Sequence, residues 1–169
     1  FVLPSAEDRV DRLTAVLQVL YLIFNEGYAA TAGDQLHRVD LTVEAIRLTR
    51  MLHQLLPEEP EVDGLLALML LTDARRPARL DSAGDLVTME HQQRDQWDSA
   101  LTAEGTALIT AAMRRRQVAP DQLQAAIAAA HDGGPSYAET DWPRIPAPDA
   151  SRATRAGTPR PARSSTPTC

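Results

Sequence analysis

With 169 residues, 44% of them hydrophobic, the chain can bury one real core, and its Leu- and Ala-rich composition, only 4% aromatic, favours helix over sheet. The formal net charge is −6; residues 146–169 carry Arg152, Arg155, Arg160 and Arg163 against Asp149, and subtracting that +3 leaves −9 on residues 1–145, which disfavours direct binding to nucleic-acid phosphate. The single cysteine, Cys169, excludes an internal disulfide, and no apolar run approaches the roughly 20 residues needed to span a bilayer, so a cytoplasmic protein off the membrane is expected.

Ser5, with Asp8 three residues on, predicts a helix start after Pro4, and the helix is expected to run to about Asn25 with Gly27 as its stop. Leu13, Leu17, Leu20 and Phe24 form its stripe; Val16, Val19 and Ile23 widen it, so this helix is expected to be central to the core. Residues 28–39 read as a loop. Asp40 is placed to cap a second helix over about 41–56, with Leu41, Ala45, Leu48, Leu52 and Leu55 inward and a Glu44–Arg47 pair on the solvent side. Pro57 ends it. A third helix, about 60–75, carries Val62, Leu65, Leu66, Met69 and Leu70 and closes at Pro77.

Between residues 79 and 88, Leu80 and Leu86 flank an Asp- and Gly-containing turn, which predicts a small hairpin or extended loop. A fourth helical region spans about 91–116, with a break expected near Trp97; Trp97, Leu101, Leu108 and Ala112 share a face, and Arg114, Arg115 and Arg116 offset its negative end. A fifth helix starts near Pro120, turns Leu123, Ile127 and Ala130 inward and ends at Gly133–Gly134. Asp141-Trp142-Pro143 resembles a further helix start that Pro146 and Pro148 stop. The fold expected is therefore an all-α bundle of about five helices over residues 1–145. Residues 146–169, rich in Pro, Arg, Ser and Thr, form a tail expected to be disordered. A native flexible tail and a reading frame lost near Ile145 both fit that abrupt change. A chain that begins on Phe1 is also expected to be a piece of a longer protein.

Catalytic signatures are lacking. His37, His53, His91 and His131 include no i, i+4 pair, there is no cysteine cluster, and no Gly-rich phosphate loop or nucleophile elbow is present. No catalytic residue, cofactor or metal is therefore expected. Asp8, Glu44 and Glu104 read as solvated helix faces. Two polar clusters do adjoin apolar helices. One is Asn25, Glu26 and Tyr28; the other is Asp73, Arg75, Arg76, Arg79 and Asp81 around Pro77. The arginines fit an anion or an acidic partner, or they lock the loop onto the bundle by pairing with Asp73, Asp81 and Glu26. The structural role is favoured.

Five segments are more specific. They are Leu17 to Tyr28, Asp40 to Leu48, Pro57 to Asp81, Gln96-Trp97-Asp98, and Gln122 to Ala129. In this order they resemble the C-terminal extension of a group of extracytoplasmic-function RNA polymerase sigma factors, of the sigma-70 family. The resemblance covers about residues 1–145. In that group the extension follows two sigma domains and precedes tetratricopeptide-like helices. The resemblance implies a part in transcription initiation, with RNA polymerase core and the protein's own sigma domains as partners. It carries over no DNA-contacting or catalytic residue, because the segments that melt the −10 element and read the −35 element have no counterpart here. The expected function is a regulatory, protein-interacting module. The rivals are a ligand sensor or enzyme with a pocket near Asn25, Glu26 and the Arg75–Arg79 loop, and a plain structural spacer.

Overall fold

The computed structural model describes residues 5–29, 36–114 and 120–132. They form an all-α bundle: α1 (Ala6–Ala29), α2 (Leu36–Leu55), α3 (Pro60–Ala74), α4 (Ser99–Arg114) and α5 (Pro120–Asp132). The further helix start at Asp141 and the tail from Pro146 lie outside the described residues, as do Arg115, Arg116, Gly133 and Gly134.

The start of α1 follows from its sequence. Ser5 Oγ donates to Asp8 Oδ2 at 2.7 Å, and the Asp8 backbone N–H donates to Ser5 Oγ at 3.1 Å. The Ser5 N–H answers on Asp8 Oδ2 at 3.1 Å, so two orphan amides are satisfied reciprocally. These bonds hold the Asp8 carboxyl below the usual carboxylate range. The far end differs from expectation. Gly27 does not stop α1, which runs through it to Ala29; Gly27 is buried, and the Tyr28 ring stacks on Phe24 at 5.7 Å. Asp40 is likewise not a cap, since α2 begins at Leu36 and holds Asp40 in its interior.

The central helix is α3, not α1. It contacts α1, α2, α4 and α5. Its sequence is apolar all round, so both faces are buried. Val62, Leu65, Leu66, Met69 and Leu70 join Leu17, Leu20, Phe24, Ala45 and Ile46 in one core. Ala67 and Leu68 face Ile109, Ala112 and Ala125 in a second. Each fully buried Leu or Met contributes about 1.5–3 kcal/mol, which makes α3 the strongest single determinant of the bundle. Two glycines let its neighbours come close. A Cβ at Gly64 would lie 2.7 Å from Gln122 Cγ and 2.9 Å from its backbone N. A Cβ at Gly105 of α4 would lie 2.8 Å from Leu71 Cγ and 3.2 Å from the Ala67 carbonyl.

Between α3 and α4 the chain has only two single 3-10 turns, Arg76–Ala78 and Arg94–Gln96, so the helix expected from about 91 begins at Ser99. Leu80 and Leu86 make an isolated antiparallel bridge around a tight turn in which Gly84 has φ 86°. Asp81 Oδ1 accepts from the amides of Ala83 and Asp85, both at 2.9 Å. The expected break at Trp97 is present: Trp97 is extended and buried, and Asp98 Oδ1 caps α4 through the amides of Ala100 (2.9 Å) and Leu101 (3.0 Å). On α5, Gln122, Ala125 and Ala128 are buried and Ile127 is half-buried; the side chains of Leu123 and Ala130 lie outside the described residues.

Candidate functional site

The arginine loop is held to the bundle by its own contacts. Arg76 Nε donates to Asp73 Oδ1 at 2.8 Å, and Nη2 reaches the same oxygen. Burial pushes the Asp73 carboxyl above its ordinary range, against the pull of Arg76, and neighbouring Asp98 adds to the rise. Arg75, itself buried, donates to the Leu71 carbonyl at 3.1 Å and lies 5.8 Å from the Trp97 ring centre. Arg94 approaches the same ring at 4.9 Å. Arg79 sits 4.0 Å over the Tyr28 ring and donates to the Tyr28 carbonyl. These are cation–π contacts that tie the loop to the end of α1 and to the start of α4. The structure therefore joins Tyr28 to Arg79, and Asp73 to Arg76. Asp81 serves its own turn. Asn25 is half-buried and Glu26 exposed at the end of α1.

A cleft of about 440 Å³ lies elsewhere, between α2 and α4, with Leu66 of α3 as its floor. None of the eight polar-cluster residues lines it. Its walls are Arg50, His53 and Gln54 on one side and Glu104, Ala107, Leu108 and Ala111 on the other. Both sets follow the i, i+3, i+4 spacing of one helical face. Arg50 Nε and Nη2 grip Glu104 at 2.9 and 2.6 Å, a bidentate pair. That bond keeps the Arg50 guanidinium even more firmly protonated. Glu104 is thus not a solvated face but the α4 half of a bridge to α2.

His53 Nδ1 lies 2.7 Å from Asp63 Oδ1. Asp63 is only 2% exposed and sits in the first turn of α3, where the helix dipole favours a negative charge, while His53 is 32% exposed at the cleft. The four residues Arg50, His53, Asp63 and Glu104 were not legible as a group in the sequence, because each pair is formed across helices. One signal was present: Asp63 interrupts a run that is otherwise apolar, and a buried carboxylate needs a partner. Among the described residues no group of three or more His, Cys, Asp or Glu side chains is placed to hold a metal.

A third surface belongs to α1. Its inner stripe of Leu17, Leu20 and Phe24 is buried, but Val16, Val19 and Leu22 are 46%, 54% and 67% exposed. These three form an exposed apolar strip at i, i+3 spacing, on a surface that also carries Asp11, Arg12 and Gln18. Among the described residues no helix is long and apolar enough to cross a membrane.

Residues 12–113, from α1 to the end of α4, match the model of a protein family of unknown function, DUF6596. The chain belongs to that family. The match contains the cleft, the arginine loop and most of α1, and ends before α5. Among curated proteins, the chain is 47% identical over 145 residues to an uncharacterized protein of Rhizobium meliloti (strain 1021). The match takes in 86% of this chain and 34% of that relative, so the chain spans about a third of the relative's length. No solved structure matches.

Proposed function

We propose that this chain is the regulatory interaction module of an extracytoplasmic-function sigma factor, and that it docks through the outer face of α1 onto the sigma domains of the same protein. It then acts in transcription initiation, in the cytoplasm, with RNA polymerase core as the assembly it serves. One observation carries the docking role. Val16, Val19 and Leu22 stand on the solvent side of a helix whose inner side already holds a full stripe. A single exposed Leu needs no explanation, but an aligned apolar face is a common mark of an interface.

The occupant is argued from resemblance and length. The five segments named above resemble an extension that follows sigma domains. In the Rhizobium meliloti relative about two thirds of the chain lies outside the match, which supplies polypeptide enough to cover this face. The acidic character of residues 1–145 favours contact with protein over DNA.

The test is promoter-specific transcription by the full gene product, compared with the same product carrying Val16→Ser, Val19→Ser and Leu22→Ser together. Loss or deregulation of transcription, with the helix content of the module unchanged, supports docking. Unchanged output across growth conditions reduces the module to a spacer.

A further inference from the structure

The α2–α4 cleft has a chemistry that α1 docking does not use. Its volume of about 440 Å³ suits one small molecule. Most of its lining is apolar: Leu66, Leu108, Ala107 and Ala111. Its polar end holds charges of both signs. Arg50 spends Nε and Nη2 on Glu104, which leaves the two N–H donors of Nη1. Glu104 accepts two bonds from Arg50, and a carboxylate has about four acceptor positions, so it has room for another donor. Both side chains are 40% exposed and reachable from solvent.

His53 adds a second ring nitrogen. Its Nδ1 is taken by Asp63, and in the neutral tautomer with the proton on Nδ1 the other nitrogen, Nε2, is an acceptor. A simple anion would answer Arg50 but meet the charge of Glu104 and leave the two acceptors unused. A simple amine would answer the acceptors but meet the charge of Arg50. A zwitterion with an apolar tail answers all of them. We infer that the cleft between α2 and α4 binds an apolar α-amino acid. Its carboxylate takes Arg50 Nη1, its ammonium lies between Glu104 and His53 Nε2, and its side chain rests on Leu66, Leu108 and the two alanines. Gln54 provides an additional amide at the rim.

Nothing in this inference rests on the docking role: binding is read on the isolated chain, docking on transcription by the whole gene product. The chain is titrated calorimetrically with L-leucine and L-phenylalanine, then with 4-methylpentanoate and 3-methylbutylamine, which lack the ammonium and the carboxylate of leucine in turn. Saturable binding at about 1 mM or tighter is expected for an amino acid, with each truncated counterpart weaker by about tenfold or more through loss of a charge-assisted contact. Ala111→Leu and Ala107→Leu fill the cleft at exposed positions. Each is expected to abolish binding and leave the thermal midpoint unchanged. Absence of saturable binding up to about 10 mM, equal binding of the truncated counterparts, or binding that survives both cleft-filling variants overturns the inference.

Discussion

His53 and Asp63 show how much one contact can ask of a side chain. Asp63 is buried, and His53 gives it a hydrogen bond of 2.7 Å across the α2–α3 connection. His53→Ala is expected to cost about 1–3 kcal/mol, the range for removing a partner from a buried charged group, readable as a fall in the urea midpoint. Gln122 makes the opposite case. Its side chain, on α5, is fully buried against α3, and among the described residues neither its amide oxygen nor its amide nitrogen has a hydrogen-bond partner. Gln122→Met keeps the volume and removes the unmet polar atoms, and is expected to raise stability by about 1 kcal/mol. A lower midpoint for this variant would show that the amide is satisfied in solution.

Asp73 offers a sign test by pH. Its carboxyl is raised by burial, so the fold favours the protonated form. The stability it contributes is present below the ordinary carboxylate value of 3.8 and is lost as pH rises through the raised value. Asn mimics the protonated acid at every pH. Asp73→Asn should therefore gain on the native protein in thermal midpoint between pH 3 and pH 7. A mutant that loses ground over this range would mean that the Arg76 pair outweighs burial. Asp8 and Glu44 run the other way, since hydrogen bonds from Ser5 and Arg47 lower them; both favour the fold above the carboxylate range and cease to do so in acid.

At the level of elements, α3 and α1 exchange the positions that their sequences suggest. Both are rich in apolar residues, and periodicity alone marks either as central. What decides between them is the number of partners each can accept closely. α3 has Gly64 against α5, and α4 brings Gly105 against α3 at Leu71 and Ala67, so α4 and α5 close on α3 in addition to α1 and α2. Gly105→Ala tests this. Helix propensity by itself predicts a gain of about 1 kcal/mol. The 2.8 Å approach to buried Leu71 and the 3.2 Å approach to the Ala67 carbonyl predict instead a loss of about 1–3 kcal/mol from overpacking. Capping was readable in the sequence where it is local: Ser5 and Asp8 are three residues apart and bond as expected. The ends of α1 and α2 around residues 27–40 were not, because Tyr28 is held by Phe24 next to it and by Arg79, 51 residues away in sequence. The cleft was hidden for the same reason, with Arg50 and Glu104 separated by 54 residues.

On the scale of the whole molecule, three surfaces divide the work. The arginine loop binds α1 to the start of α4 through Arg79–Tyr28 and Arg75–Trp97. The α2–α4 cleft is bridged by Arg50 and Glu104. The strip of Val16, Val19 and Leu22 on α1 remains exposed. The first is a structural tie, and Tyr28, Asp73, Arg75, Arg76 and Arg79 of the polar clusters that stood out in the sequence belong to it. The last is the surface that a partner can use without disturbing either of the others, since Leu17, Leu20 and Phe24 keep α1 on the bundle from the opposite side. Family membership spans residues 12–113 and so includes this face.

The decisive measurement is direct binding between this chain and the sigma domains proposed as its partner, compared for native α1 and for the Val16→Ser, Val19→Ser, Leu22→Ser variant. Docking through α1 predicts saturable binding by the native chain and a loss of about tenfold or more in the variant, with helix content preserved. Equal binding by both chains, or no binding by either, would contradict it.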